Sequence, residues 1–255
     1  MIKIAGKSTE KSWIIIRKHR GTPKIKLFCF PYAGGGASVF REWPDLLPES
    51  IEVCAIQYPG RENRINETPV SRFETMVDEL YNALLPAIDI PYAFFGHSMG
   101  AKLAFEVAKR LSLRAGKPPL CVFASGARAP HIPAHDPIHH CGDAEFVASL
   151  RRYEGTPGAV LHNEELMSVF LPMLRADFIL DETYVSSEAE TLSCPIYAFA
   201  GESDNIAPPE EVRQWGKFTR GLFQMDTLRG DHFFIKALQS EVVGSIGKRL
   251  SRLYG

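Results

Sequence analysis

The residues best suited to chemistry form the pentapeptide Gly96-His97-Ser98-Met99-Gly100. It follows the apolar run Tyr92–Phe95, which is typical of a strand, and precedes a helical pattern that begins at Met99. A serine in such a sharp strand-to-helix turn projects from the sheet edge and can act as a nucleophile. Its flanking glycines are needed because a Cβ atom there would strike the neighbouring strand or helix. The sequence therefore predicts Ser98 as a nucleophile, with an ordinary strand-to-helix turn as the alternative.

A serine hydroxyl needs a general base, and in the chain order of α/β-hydrolases the histidine comes last. His232 fits this order, because the segment Arg229–Phe234 stands directly before the last helical pattern. The remaining histidines fit worse by position: His19 precedes the first strand, His97 lies inside the pentapeptide, and His131, His135, His139, His140 and His162 lie between residues 129 and 190. We therefore predict His232 as the base.

The acid that orients the imidazole should follow a strand. Asp204 is the first choice, since Gly201-Glu-Ser-Asp204 comes directly after the apolar run Ile196–Ala200. Glu202 is the second candidate because it stands closer to the strand end. Asp231 ranks low, since side chains adjacent in sequence usually point apart, and Asp136 is a remote possibility.

The oxyanion of an acyl-transfer intermediate needs two backbone N–H donors. One should come from Met99, the residue after the nucleophile, and the other from the loop after the first apolar run. That loop, Pro31-Tyr-Ala-Gly-Gly-Gly36, is rich in glycine, and Ala33 is its expected donor. A phosphate cradle is the alternative, but neither G-x-G-x-x-G nor the P-loop lysine is found.

Five apolar runs without alternation supply the elements that must position these residues: 26–30, 52–57, 92–95, 121–124 and 196–200. Continuous apolar strands are typical of a parallel sheet covered on both faces. Helical patterns alternate with them at 71–85, 99–111 and 234–253. The alternation predicts a doubly wound α/β fold with a mostly parallel central sheet flanked by helices.

Residues 129–190 interrupt this alternation, with helical patterns such as 164–171 and no convincing strand. An insertion near the carboxyl edge of the strands is a candidate lid, with additional helical packing as the alternative. The insertion also holds a potential metal-binding cluster of His131, His135, His139, His140, Cys141 and Asp143. We predict no metal there, because prolines break any helix that would align the ligands and no His-Glu-x-x-His pattern is present.

Composition excludes several classes of protein. The formal net charge is −1 and the pI about 6.7, which leaves no basic field for nucleic acid. The five cysteines form no C-x-x-C pair, which indicates a reducing compartment. No apolar stretch approaches the roughly 20 residues of a membrane helix, and the N-terminal isoleucine run is too short for a signal peptide. We expect a cytoplasmic protein without membrane contact.

Taken together, these motifs resemble the type II thioesterases of nonribosomal peptide and polyketide synthases, from about Trp13 to the last helix. The resemblance is carried by the following segments: Phe30-Pro-Tyr-Ala-Gly-Gly35, Tyr58-Pro-Gly-Arg-Glu62 with Arg64, Gly96-His-Ser-Met-Gly-Ala101, Ser125-Gly126 with Ala129-Pro130, Leu171-Pro-Met-Leu-Arg-Ala-Asp-Phe178 and Gly230-Asp-His-Phe-Phe234. One departure concerns Arg128, which stands one place later than the family's arginine because Ala127 precedes it.

The resemblance implies one α/β-hydrolase domain over residues 1–255, with a mobile helical lid at roughly 129–190. It places the triad on Ser98, Asp204 and His232 and the oxyanion donors on Met99 and Ala33. The implied activity is hydrolysis of stalled or mis-primed acyl thioesters on the phosphopantetheine arm of carrier proteins, in antibiotic or siderophore pathways, by a monomer that needs no cofactor.

Carrier proteins are commonly acidic, so we expect a local basic rim that helps to seat the partner. Arg61 and Arg64 are the candidates, because they follow the carboxyl end of a strand, with a packing role in the Pro-Gly-Arg-Glu turn as the alternative. Three other functions stay open: a general serine esterase or lipase, an acyltransferase, and a catalytically silent hydrolase fold that binds a ligand or partner.

Overall fold

The computed structural model describes residues 12–18, 21–153, 155, 163–187 and 190–254. Within these ranges the strands are β1 (Ile14–Ile15), β2 (Ile25–Phe30), β3 (Ile51–Ile56), β4 (Tyr92–His97), β5 (Val122–Ser125), β6 (Ile196–Gly201) and β7 (Phe223–Leu228). The helices are α1 (Trp43–Leu46), α2 (Phe73–Leu84), α3 (Met99–Ala115), α4 (Asp143–Tyr153), α5 (Glu164–Thr183), α6 (Pro209–Val212), α7 (Phe234–Ala237) and α8 (Gln239–Tyr254).

The strands form one sheet in the order β1-β3-β2-β4-β5-β6-β7. β1 pairs antiparallel with β3, and every other pair is parallel. The mostly parallel sheet flanked by helices confirms the predicted α/β fold class. In this register Phe30 stands beside Gly96, and His97 stands beside Ser125, so the carboxyl ends of β2, β4 and β5 meet at one edge. Ligand sites of open parallel sheets lie at this edge.

Helices cover both faces of the sheet, which explains the continuous apolar strands. In β4, Phe94 packs into the core shared with α2 and α3, while Phe95 packs into the core shared with α1 and α8. All six residues of β4 are buried. A two-sided apolar strand of this kind holds the turn that follows it in a fixed position.

The five strands predicted from apolar runs are all present, with ends shifted by one or two residues. β7 was not predicted, because its residues form neither a continuous apolar run nor a strict alternation: none of them is buried, and Asp226 and Thr227 are two consecutive polar residues. The predicted helix 234–253 is wrong in one detail: it is interrupted at Leu238 (φ −112°, ψ 31°), so α7 and α8 are separate.

The insertion between β5 and β6 contributes α4 and α5 and has its own small core. Phe146 and Leu150 of α4 pack with Leu174 and Phe178 of α5, and Ala33 of the main body packs against this cluster. Asn163 begins α5 by accepting the N–H of Leu166 at 3.0 Å. Among the helices of the described ranges, none combines the length and apolar character that a bilayer span requires.

Candidate active site

Ser98 occupies the turn between β4 and α3 in a conformation that serines seldom adopt, with φ 55° and ψ −123°. Its N–H donates to the carbonyl oxygen of Ser125 at 2.8 Å, which ties the turn to β5. A Cβ atom on Gly96 would lie 2.3 Å from the carbonyl oxygen of Gly100, and one on Gly100 would lie 2.2 Å from that of Phe30. The two glycines therefore allow the tight crossing that lifts Ser98 from the sheet.

His232, which lies between β7 and α7, reaches Ser98 and Asp204 with opposite sides of its ring. Its Nε2 lies 3.1 Å from Ser98 Oγ, and its Nδ1 lies 2.8 Å from Asp204 Oδ2. The other oxygen of Asp204 accepts the N–H groups of Ile206 and Ala207, both at 2.8 Å. Since a carboxylate only accepts, Nδ1 carries the proton and Nε2 is free to accept the hydroxyl proton of Ser98.

The three other candidate acids lie elsewhere. Glu202, Asp231 and Asp136 are exposed, and Asp231 accepts the N–H of Phe233 at 2.8 Å. Asp204, by contrast, is 2% exposed. Of the four acids that the sequence suggested, the structure brings Asp204 to the imidazole.

His97 contacts the catalytic region without facing the nucleophile. Its Nε2 lies 3.0 Å from the backbone carbonyl oxygen of His232, and its Nδ1 lies 2.9 Å from Ser125 Oγ. Burial, together with the neighbouring His232, holds the pKa of the His97 imidazole well below its ordinary value. His97 is therefore a neutral buried group that supports the His232 backbone.

A small cavity of about 40 Å³ opens over Ser98. Both the main body and the insertion contribute to its lining: Tyr32, Ala33, Ile206, His232 and Phe233 from the former, and Leu150, Tyr153, Gly155, Phe178 and Asp181 from the latter. Ala33 and Ser98 thus face the same space, and Met99 is the first residue of α3, where an N–H has no acceptor within its own helix. This placement suits the predicted oxyanion donors.

The expected basic rim at Arg61 and Arg64 is wrong. Their side chains are buried, at 3% and 4% exposure. Arg61 makes a two-pronged ion pair with Asp177 of α5, with distances of 2.6 and 2.7 Å. Arg64 pairs with Glu67 at 2.7 Å and donates to the carbonyl oxygen of Gln57 at 2.9 Å. Because both guanidinium groups are satisfied inside the protein, they are not a surface for a partner.

Arg128 also has an internal role. It is 7% exposed, donates to the carbonyl oxygen of Ile206 at 2.8 Å and lies 3.6 Å from Asp181. Asp181 in turn pairs with the ammonium of Lys102 at 2.8 Å. Burial acts to raise the pKa of the Asp181 carboxyl, but the cations Lys102 and Arg128 hold it below its ordinary value.

Two histidines of the insertion pair with different acids. His135 pairs with Glu211 at 2.6 Å, and His139 pairs with Glu182 at 2.7 Å. In the described part of the chain, no group of three or more His, Cys, Asp or Glu side chains is arranged to hold a metal ion. His19 and His162 lie outside the described residues.

Sequence reasoning assigned no role to Asp177, Asp181 and Lys102. Asp177 was noticed within the segment Leu171–Phe178, but nothing local indicates a partner 116 residues away. Lys102 lies on the same side of α3 as Glu106 and Lys109, opposite the apolar stripe, so its position in the sequence gives no signal that it is buried.

Comparisons with known proteins agree with this geometry. The family model "Thioesterase domain" matches residues 25–250. The gramicidin S biosynthesis protein GrsT of Aneurinibacillus migulanus is 40% identical over 244 residues, which cover 95% of both chains. The type II thioesterase BorB from the borrelidin biosynthetic cluster superposes with a TM-score of 0.84 at 32% identity, over 95% of this chain and 97% of that one.

A second solved structure, the type II thioesterase YbtT from the yersiniabactin NRPS/PKS biosynthetic pathway, superposes with a TM-score of 0.86 at 29% identity. The match covers 95% of this chain and all of the other (100%). These matches confirm the resemblance stated from the motifs and the predicted enzyme class. The chain belongs to the thioesterase family, as a type II thioesterase of the α/β-hydrolase fold, and is a thioester hydrolase.

Proposed function

We propose that this protein hydrolyses acyl thioesters from the phosphopantetheine arm of carrier proteins in nonribosomal peptide or polyketide biosynthesis, freeing arms that carry stalled or mis-primed groups. The observation that carries the proposal is the relay from Ser98 Oγ through His232 to Asp204, with steps of 3.1 and 2.8 Å, in a chain that matches the thioesterase family. Relatives named for gramicidin S and yersiniabactin biosynthesis support the pathway class.

In the acylation step, Ser98 Oγ attacks the thioester carbonyl carbon while His232 Nε2 takes the hydroxyl proton. The carbonyl π pair moves onto oxygen, and the N–H groups of Met99 and Ala33 are the proposed donors to this oxyanion. When the intermediate collapses, the C–S bond breaks and the pantetheine sulfur leaves with the proton from His232. The product is an acyl-Ser98 ester and a free thiol.

Deacylation repeats these steps with water. His232 takes a proton from a water molecule that attacks the acyl-Ser98 carbonyl, and returns it to Ser98 Oγ as the ester bond breaks. Asp204 stabilises the imidazolium formed in both half-reactions and keeps Nδ1 protonated. No step requires a metal or a dissociable cofactor.

We also propose that residues 129–190 form a lid within a single domain. The support is that α4 and α5 contribute Leu150, Tyr153, Phe178 and Asp181 to the wall of the cavity over Ser98. A cover of this kind excludes water from the charged intermediate, which strengthens its hydrogen bonds. Away from Ser98, His232 and Asp181 the lining is mostly apolar, which suits the apolar part of an acyl group next to the thioester.

The setting of the reaction is part of the proposal. All five cysteines are unpaired, and four of them are buried, which supports a reducing, cytoplasmic location. Carrier proteins loaded with acyl-phosphopantetheine are the expected partners, and the monomeric state stays a prediction.

The direct test is a mass-spectrometric assay of acyl release from several loaded carrier proteins. We expect free acid and free phosphopantetheine thiol with the parent protein, and neither with Ser98→Ala. Intact acyl carriers after incubation with the folded parent would contradict the proposal.

The same assay separates the rival reactions. A matched pair of an acyl-pantetheine thioester and its oxygen ester tests for a general esterase, which would prefer the oxygen ester. Added alcohols or amines test for an acyltransferase, which would give transfer product with little free acid. Labelling of Ser98 by a serine-directed fluorophosphonate excludes a catalytically silent fold, with Ser98→Ala as the unlabelled control.

A further inference from the structure

The loop that carries Ala33 is held by the insertion as well as by the main body. Gly34 N–H donates to Asp177 Oδ2 of α5 at 2.7 Å. Gly34 has a φ of 78°, and a Cβ atom on it would lie 2.8 Å from Leu174, also of α5. The loop and the helix thus meet in close contact, with one hydrogen bond that fixes the direction of the Gly34 N–H.

Asp177 is itself held rigidly. Its carboxylate takes both prongs of the Arg61 guanidinium at 2.6 and 2.7 Å, and its side chain has no solvent exposure (0%). The same Arg61 Nη1 donates to the carbonyl oxygen of Gly35 at 3.0 Å. Asp177 and Arg61 therefore hold backbone groups of two successive residues, the N–H of Gly34 and the carbonyl of Gly35. Two-pronged, charge-assisted pairs of this kind are strong and add geometric specificity.

A tight turn transmits this restraint to Ala33: the N–H of Gly35 donates to the carbonyl oxygen of Tyr32 at 2.8 Å, so Ala33 and Gly34 are the two central residues of one turn. Because the unit between Ala33 and Gly34 is planar, fixing the Gly34 N–H also fixes the carbonyl of Ala33. The N–H of Ala33 belongs to the preceding peptide unit of the same turn, and Ala33 lines the cavity that also contains Ser98. Because the Gly34 N–H is engaged by Asp177 and the Gly35 N–H by Tyr32, the Ala33 N–H is the candidate donor of this turn to an oxyanion in the cavity.

We propose that Asp177 is a positioning residue for the oxyanion site, held by Arg61, so that the Ala33 donor is aligned when α5 packs on the loop. The inference rests on the proposed function, because it takes the Ala33 N–H as an oxyanion donor. On this inference the Arg61–Asp177 pair links α5 of the insertion to the loop that carries the oxyanion donor. It does not contact a carrier protein.

The test compares two double variants that remove both buried charges. Arg61→Met/Asp177→Asn keeps a side-chain oxygen that can accept the Gly34 N–H, whereas Arg61→Met/Asp177→Leu removes that acceptor. Single substitutions are avoided, because one unpaired buried charge would destabilise the fold for a trivial reason. Glu182→Gln is the matched control, since Glu182 is a buried acid of α5 that instead binds the backbone N–H groups of Ile138 and His139.

Two measurements report on the oxyanion site: kcat/KM for an acyl-N-acetylcysteamine thioester, and the inhibition constant of a trifluoromethyl ketone, whose adduct with Ser98 places an oxyanion in the site. Relative to the Asn double variant, we expect the Leu double variant to have a kcat/KM about 10- to 100-fold lower and an inhibition constant for the ketone about 10- to 100-fold higher. These effects are smaller than the effect of removing an oxyanion donor altogether. Substrate affinity, measured with Ser98→Ala added to each, should differ by less than about twofold, as for a transition-state effect. Glu182→Gln should leave the ketone affinity at the parent level.

Equal ketone affinity in the two double variants, with both folded by thermal melting, would overturn the inference. A parallel loss of substrate affinity would also overturn it, because that indicates general damage to the cavity. Failure of the proposed function has a different signature: the parent itself would bind the ketone at Ser98 yet release no acid from the thioester.

Discussion

The imidazole of His97 donates a hydrogen bond from Nε2 to the backbone carbonyl oxygen of His232 over 3.0 Å. Because a carbonyl oxygen only accepts, this contact places the proton of His97 on Nε2, and Nδ1 then accepts the hydroxyl proton of Ser125. The ring also fills the space beside Gly126, where a Cβ atom would lie 2.6 Å from it. His97, the residue before the nucleophile, is therefore an uncharged group that supports the backbone of the base, His232.

This arrangement predicts a pH dependence of stability. The folded protein holds the pKa of His97 below the ordinary 6.5, so below that pH the unfolded chain binds one more proton than the folded protein does. Stability should therefore fall as pH drops below 6.5, by up to about 1.4 kcal/mol per pH unit from this group. Above pH 6.5 the contribution is constant.

Urea unfolding between pH 7.5 and 5.5 measures this effect, with His97→Gln as the comparison. The glutamine can still donate to the His232 carbonyl but does not titrate. Below pH 6.5, the free energy of unfolding should fall less steeply with decreasing pH in the variant than in the parent. The difference in slope should correspond to about one bound proton, or about 1.4 kcal/mol per pH unit. Identical slopes for the two proteins would contradict the prediction, because they would mean that His97 takes up its proton at the same pH in the folded protein as in the unfolded chain.

Asp204 should matter for rate far more than for folding. In Asp204→Asn, one amide oxygen can still accept the N–H groups of Ile206 and Ala207, so the loop is expected to keep its shape. The amide cannot hold the proton on His232 Nδ1, and kcat should fall by about 10⁴ at neutral pH. Steady-state hydrolysis and a thermal melt on the same sample measure both effects. The exposed Glu202 supplies the control: if Glu202→Gln lowered kcat as much, the acid would be misassigned.

Much of the fold is predictable from the sequence because its signals are local. β4 is apolar on both faces, so its composition predicts a central parallel strand whatever its neighbours are. The pentapeptide around Ser98 is equally local, since two glycines and one turn define it. β7 is different: its residues Phe223–Leu228 are neither continuously apolar nor strictly alternating, and they form a strand by pairing with β6 at the sheet edge, a contact that no local pattern reports.

The site shows the same division. His232 and Asp204 could be selected because chain order and strand ends restrict where a base and an acid can stand. The role of Arg61 could not be predicted in this way. Its position after a strand indicates where its backbone lies, but not whether its side chain turns into the protein or toward the solvent. Its direction is decided by Asp177, 116 residues later, once α5 packs on the loop. Buried ion pairs between distant segments are a product of tertiary packing, so they appear only in the structure.

The glycines of the turn should be intolerant of even one methyl group. In Gly100→Ala the new Cβ would lie 2.2 Å from the carbonyl oxygen of Phe30, and main chain cannot yield as a flexible side chain can. We expect a loss of about 3 kcal/mol in the free energy of unfolding, the upper end for overpacking.

Gly244→Ala on α8 is the matched control, because its Cβ would meet nothing within 4 Å. It should gain about 0.5–1 kcal/mol from helix propensity. Urea unfolding of both variants measures the difference, and a stable Gly100→Ala protein would contradict this account of the turn.

Two cations of α3 should differ sharply in their contribution to stability. Lys102 is 2% exposed and is held by Asp181 of α5 through its carbonyl oxygen at 2.7 Å and its carboxylate at 2.8 Å. Arg114 is 59% exposed and lies 3.5 Å from Asp78. Lys102→Met leaves the Asp181 carboxylate, which is 16% exposed, with Arg128 at 3.6 Å as its remaining cation, and should cost about 3 kcal/mol, the lower end for a broken buried pair. Arg114→Met removes an exposed pair worth less than about 1 kcal/mol.

Denaturant unfolding of the two variants gives the comparison directly. Adding Asp181→Asn to Lys102→Met should recover part of the loss, because the amide no longer carries a charge that burial penalises. The recovery is the decisive observation: a cost that came only from lost packing of the lysine stem would stay unchanged in the double variant. Equal small losses for Lys102→Met and Arg114→Met would instead mean that water reaches the Asp181 carboxylate when its partner is removed.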